Sequence, residues 1–162
     1  LRSTMTLFSK VGFIALLGIT SLTLGGLPKD DDELMYLPKG TKLLTQKELL
    51  FPAGQIRMFF QNGLATLNGN EINGNNRYCF MLLKTPSTRD RVLEQDVVVV
   101  TSGTYRSATS ITELEISQPA GIFDVGCINS PSEINRRPTI GQFKKEIQGI
   151  FEVVMPGPDP IH

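Results

Sequence analysis

The chain has 162 residues, the length of one domain with little left for a second. Lys plus Arg number 16 and so do Asp plus Glu, so there is no net charge and none of the cationic excess that binds a phosphate backbone; nucleic acid is not an expected partner. Hydrophobic residues at 40% suffice for a packed core, whereas no Trp, 1 His and 2 Cys leave few of the groups that usually carry chemistry.

With Met5 taken as the working start, Lys10 precedes an uncharged run from Val11 to Leu24, followed by the small residues Gly25 and Gly26. This is the layout of a secretory signal peptide, read as residues 1–25 with cleavage after Gly25. The competing reading keeps the run as an uncleaved anchor, although it is at the short end of the roughly 20 residues that span a bilayer. In that case the membrane is touched only through this segment. No Cys follows the run, so the usual acylation site of a lipoprotein is missing. Loss of Arg2 and Lys10 leaves a mildly acidic mature chain of net charge −2. Residues 26–40 read as an acidic, flexible mature terminus around Asp30, Asp31, Asp32 and Glu33. Four adjacent carboxylates lack the spaced ligands and turn glycine of a calcium loop, so no metal is expected there.

Residues 41–155 read as one β-rich domain of short apolar runs separated by turn residues. Ile56, Met58 and Phe60 alternate with Gln55, Arg57 and Phe59, which gives a strand with one apolar face. Asn62-Gly63, Asn68-Gly69 and Asn73-Gly74 suit the positive φ angles of hairpin turns. The segment 61–76 therefore reads as an exposed loop, either a plain connector or a polar recognition loop of Asn62, Gly63, Asn68, Asn70, Asn73, Asn75 and Asn76. Arg77 to Leu83 is the next strand. Val97 to Val100 is apolar on both faces, as in a strand covered on each side. Thr112, Leu114 and Ile116 share one face of a strand; Glu113 and Glu115 share the other and read as a solvated edge rather than an acid–base pair. Gly121 to Ile128 forms a further strand.

Thr139 and Gln142 match a capping box, Ile140, Phe143 and Ile147 fall at helical spacing, and Gly149 stops the pattern, which predicts a helix over about 140–148. Lys144, Lys145 and Glu146 fall outside the apolar stripe. Phe151 to Met155 reads as a last strand before a Pro-rich tail, 156–162. The predicted fold is mainly β: an antiparallel β-sandwich or partly open barrel with one C-terminal α-helix packed on the sheet.

Cys79 and Cys127 both lie in apolar, strand-like surroundings. In an oxidising compartment such a pair reads most simply as a structural disulfide, with two buried thiols as the alternative. A redox-active pair would need Cys-x-x-Cys spacing, which is missing. The only histidine, His162, ends the chain, and no phosphate loop, dinucleotide fingerprint or Ser-x-x-Lys spacing occurs. No catalytic residue, cofactor or metal is expected.

The run Phe51-Pro52-Ala53-Gly54-Gln55-Ile56-Arg57-Met58-Phe59-Phe60-Gln61-Asn62-Gly63, followed by Arg77-Tyr78-Cys79-Phe80, resembles small exported proteobacterial proteins with a Pro-Ala-Gly turn, a Gln-x-Gly strand end and a Tyr-Cys strand. The resemblance covers about a fifth of the chain. It implies a Gram-negative envelope location and a paired cysteine, and no activity. The expectation is a periplasmic or secreted, non-enzymatic binding or accessory module of the envelope, whose partner is an envelope protein or glycan. The alternatives are a membrane-anchored structural subunit and a small hydrolase inhibitor.

Overall fold

A computed structural model describes residues 26–94, 96–118 and 121–157. The apolar segment 1–25, with its cleavage or anchoring, and the end of the Pro-rich tail with His162 lie outside the described residues. The fold is mainly β, an open curled antiparallel sheet with one C-terminal α-helix.

Among the described residues ten strands form: β1 (Lys42–Thr45), β2 (Leu49–Phe51), β3 (Arg57–Gln61), β4 (Leu64–Thr66), β5 (Tyr78–Leu83), β6 (Arg91–Leu93), β7 (Val97–Arg106), β8 (Ile111–Gln118), β9 (Ile122–Ile128) and β10 (Phe151–Val154). Eight of them hydrogen-bond in the order β10-β1-β7-β8-β9-β5-β3-β4, every pair antiparallel, while β2 and β6 make a separate ribbon. Register shifts in the β7–β8 and β5–β9 ladders bend the sheet. The inner face collects Met58, Phe60, Met81, Val98, Val100, Leu114 and Val125, all buried. Phe60 and Phe151 meet edge to face across the mouth of the curl, with ring centroids 5.6 Å apart. The ribbon adds Leu49, Phe51 and Leu93 to the same core and turns Leu50 and Val92 to solvent.

Period-2 burial explains where the strand readings shift. Val98 and Val100 are buried while Val97 is exposed and Val99 half-buried, so this strand is covered on one face rather than on both. Ile56, read as part of the apolar face of β3, precedes the strand and is exposed. Cys79 and Cys127 stand directly opposite each other on β5 and β9 and are joined as a disulfide, both fully buried.

The α-helix, α1 (Ile140–Glu146), has the expected capping box: the Gln142 N–H donates to Thr139 Oγ1, and the Thr139 N–H donates to Gln142 Oε1. Ile140, Phe143 and Ile147 point into the core. The acidic segment ahead of β1 is strapped onto the fold rather than loose. Leu34 and Leu37 are buried. The Ile140 N–H donates to Asp32 O, the Leu34 N–H donates to Pro138 O, and Asp30 and Glu33 pair with Lys144 and Arg137, each at 2.7 Å. Those carboxylates therefore carry local ion pairs. The one-turn helix Leu34–Tyr36 lies so close to β7 that a Cβ at Gly103 would sit 2.4 Å from Met35 O, which makes glycine mandatory there.

Because the bridge closes a separation of 48 residues, replacing both cysteines with alanine is expected to lower the unfolding free energy by about 3–4 kcal/mol, read by urea denaturation of oxidised protein against the double variant. A difference below about 1 kcal/mol would show that the strand ladder alone fixes this pairing.

Candidate functional site

The β3–β4 hairpin turns through Asn62 and Gly63, both at positive φ (49° and 78°), as the Asn-Gly pair predicts. Its tip is fastened to the end of α1. The Asn62 N–H donates to Glu146 Oε2 at 2.8 Å and the Gly63 N–H donates to Glu146 O at 2.9 Å. A Cβ at Gly63 would come within 2.9 Å of Gln148 O, so this contact and the turn both require glycine. Glu146, read from the sequence as outside the apolar stripe, is buried. Burial pushes its carboxyl above the usual carboxylate range, and the Asn62 N–H with the Arg77 and Lys145 charges offsets this only in part.

The loop after β4 is clamped from below. Gln61 is buried; its Nε2 donates to Asn73 O and Arg77 O, and its Oε1 accepts from the Asn73 N–H. Arg77 crosses to the loop after β9, donating from Nε to Asn129 Oδ1 at 2.9 Å and pairing with Glu133. Asn129 in turn donates to the Glu133 and Arg136 carbonyls. Ser130 shares a hydrogen bond with Ser132 and donates to Glu133 Oε2.

These four segments enclose a polar cleft of about 390 Å³ lined by Asn62, Asn75, Asn76, Arg77, Ser130, Ser132, Glu133, Lys145 and Glu146. Among the described residues, the side-chain amides of Asn62, Asn75 and Asn76 and the Lys145 amine, all from exposed residues that line the cleft, have no hydrogen-bond partner within the protein. Of the recognition-loop residues, Asn62, Asn75 and Asn76 meet here. Asn68 instead lines a more apolar cleft of about 590 Å³ with Leu49, Leu50, Met58 and Leu67. Gly63, Asn70 and Asn73 line neither.

A second polar feature lies on the outer face of the sheet. Glu113 and Glu115 are not at an edge, because β8 runs between β7 and β9. Glu115 is directly opposite Asp124 of β9, and with Thr104 and Arg106 of β7 they line a pocket of about 120 Å³. Glu113 pairs with Arg106, and Glu115 accepts from the Ser102 hydroxyl at 2.6 Å. Asp124 is 5% exposed and its Oδ1 has no partner. Burial first, then the neighbouring Glu113, push its carboxyl up to about 7, against the opposing charge of Arg106. Among the described residues, no group of three or more His, Cys, Asp or Glu is arranged to hold a metal ion.

Comparison with family models, with curated proteins and with solved structures finds no match to this chain. The cleft's Arg77, Ser130, Ser132, Glu133, Lys145 and Glu146 escaped the sequence reading because they come from three segments that only the fold brings together. Glu146 had a signal: it follows Phe143 by three residues and so shares the buried helical face. Asp124 had one as well, as the only charge in β9.

The unfolded chain releases the Asp124 proton near pH 4 and the folded chain near 7. Between these values the folded state binds the extra proton, so its contribution to stability falls as pH rises through the window and levels off above it. Asp124→Asn is expected to flatten this slope and to be the more stable form at pH 8, by up to about 4 kcal/mol, in urea titrations across about pH 4.5–8. An unchanged slope would place the proton elsewhere.

Proposed function

We propose that this chain is an extracytoplasmic binding module, not an enzyme, and that its polar cleft holds a hydroxyl-rich saccharide of the cell envelope. The observation that carries this reading is the pairing of free and fixed groups in one cleft. Asn62, Asn75 and Asn76 offer unpartnered carboxamides, while Gln61, Arg77 and Glu146 fix the segments that bear them. Each carboxamide presents a donor and an acceptor, the combination that matches a sugar hydroxyl, which also does both. The cleft's size falls within the ordinary range of small-ligand sites, about 300–1,000 Å³. Anchoring its walls in advance reduces the ordering cost of binding. The disulfide supports an oxidising compartment, and the signal-like segment 1–25 supports export. Among the described residues, no helix is long and apolar enough to cross a membrane.

Titration of the oxidised protein with soluble peptidoglycan fragments and lipopolysaccharide core oligosaccharides, followed by amide NMR shifts, tests the ligand. Shifts are expected at Asn62, Asn75, Asn76 and Lys145. The Asn75→Ala, Asn76→Ala double variant should bind about tenfold more weakly or worse, since each lost hydrogen bond is worth roughly 1 kcal/mol, with its thermal midpoint unchanged. Absence of shifts, or shifts that map elsewhere, would overturn the reading. For the location, the intact mass of native protein should show a soluble species starting at Gly26 that gains about two mass units on reduction. A membrane-bound species still starting near Met5 would overturn it.

A further inference from the structure

The more apolar cleft, of about 590 Å³, lies at the β4 margin of the main sheet, bordered by residues 65–68 on one side and by residues 47–50 on the other. Ala65 and Thr66 are successive residues of β4, and Leu49 and Leu50 are successive residues of β2. Successive side chains of a strand point to opposite faces, so a cleft that both members of each pair border runs along the strand edges. Both of those edges are open. β4 pairs with β3 alone and β2 with β6 alone.

The hairpin fixes which backbone groups face this slot. The pair that closes the two-residue turn, Gln61 and Leu64, is the hydrogen-bonded kind, and alternation then turns the Ala65 N–H and C=O away from β3. Beyond the ladder with β3, no backbone hydrogen bond engages residues 64–67 among the described residues. An unpaired donor and acceptor on an extended backbone are matched by another extended backbone.

The other open edges are blunted and this one is not. β10, at the far end of the sheet, carries the exposed Glu152 and leads into Pro156, while β6 opens with Arg91. Leu64 to Leu67 holds neither a charge nor a proline, the devices that keep an edge from pairing. The floor beside it is apolar: Leu49 and Met58 are buried, and Ala65 and Leu67 pack against the core. The rim is acidic on balance. Glu48 is exposed with no partner among the described residues, the Glu71 carboxylate accepts from the Thr66 hydroxyl, and Lys47 Nζ reaches Gly63 O at 3.5 Å.

We propose that this slot docks an extended segment of a partner polypeptide, which adds to β4 as a strand, sets apolar side chains at alternate positions against Met58 and Leu67, and carries Lys or Arg to meet Glu48 and Glu71. Main-chain pairing supplies the affinity, and the apolar floor with its acidic rim supplies the choice of sequence. The inference is independent of the saccharide reading: the polar cleft lies at the turn of the β3–β4 hairpin, and the slot lies along that hairpin's outer strand.

The test uses a short blocked peptide with leucine or valine at alternate positions, threonine between them and a lysine at each end, titrated into the oxidised full chain and followed by amide NMR. Shifts are expected at residues 47–50 and 64–68, and the Ala65 amide should exchange with solvent at least about tenfold more slowly at saturation. The same peptide N-methylated on the amides that face β4 should bind at least about tenfold more weakly, a readout that requires no change in the protein. Glu48→Lys alters an exposed, unpartnered side chain, so the variant should fold unchanged and bind about threefold more weakly. No shifts at about 1 mM peptide, shifts that map elsewhere, or equal binding of the N-methylated peptide would each overturn the proposal. So would concentration-dependent self-association through β4, or shifts at the same residues with dodecanoate, if the peptide gives none; these would make the occupant a second copy or an acyl chain.

Discussion

Phe60 and Phe151 touch although their strands, β3 and β10, stand six places apart in the hydrogen-bonded order. In a flat sheet, with strands about 4.8 Å apart, six steps would separate them by roughly 29 Å. Bringing the rings to 5.6 Å obliges the sheet to curl almost closed, and the register shifts of β7–β8 and β5–β9 supply the bend. The curl gives the molecule one interior instead of two faces. It also leaves an opening between the two ends of the sheet, which α1 fills with Ile140, Phe143 and Ile147. Once the helix lies there, its last residue, Glu146, meets the β3–β4 turn, and the polar cleft forms along that junction.

The parts of the fold that were legible in the sequence are those governed by neighbours in the chain. Asn62-Gly63 dictates a turn because both residues accept positive φ. Thr139 and Gln142 cap α1 because their side chains reach amides three residues away. Thr112 and Leu114 face inward and Glu113 and Glu115 outward because a strand alternates. What was not legible depends on partners distant in sequence. Val97 to Val100 carries four apolar side chains, and only the strand order decides that one face is left open to water. Glu113 and Glu115 looked like an edge because nothing local announces that Asp124 will stand beside them. The acidic run at 30–33 looked solvated because its partners, Lys144 and Arg137, come more than a hundred residues later. The cleft was half visible: the asparagines that enter it announce themselves through their turn chemistry, whereas Arg77, Glu133 and Lys145 are ordinary surface charges until the fold assembles them.

The two polar sites illustrate opposite electrostatic solutions. Around Gln61, Arg77 and Asn129 nearly every buried donor and acceptor is matched, so the framework is stiff and the unmatched groups are the ones that face solvent. At Asp124 a carboxyl is buried without a partner for Oδ1 and beside two other acids, with Arg106 of β7, two strands away, as the cation. The first arrangement satisfies its buried groups from within the protein. The second is suited to holding a proton.

The position of β1 bears on how the chain reaches this state. It pairs with β7 on one side and with β10, the last strand, on the other. A polypeptide made amino end first carries β1 without its β10 partner until residues 151–154 have followed. The strands of the meander β7–β8–β9 neighbour one another in both sequence and space, so its short loops close at small entropic cost. Lys42 at the start of β1 is a charge on the strand that waits, the kind of residue that discourages edge-to-edge association while an edge is bare. The sheet is therefore incomplete beyond β1 until the carboxy-terminal strand is in place.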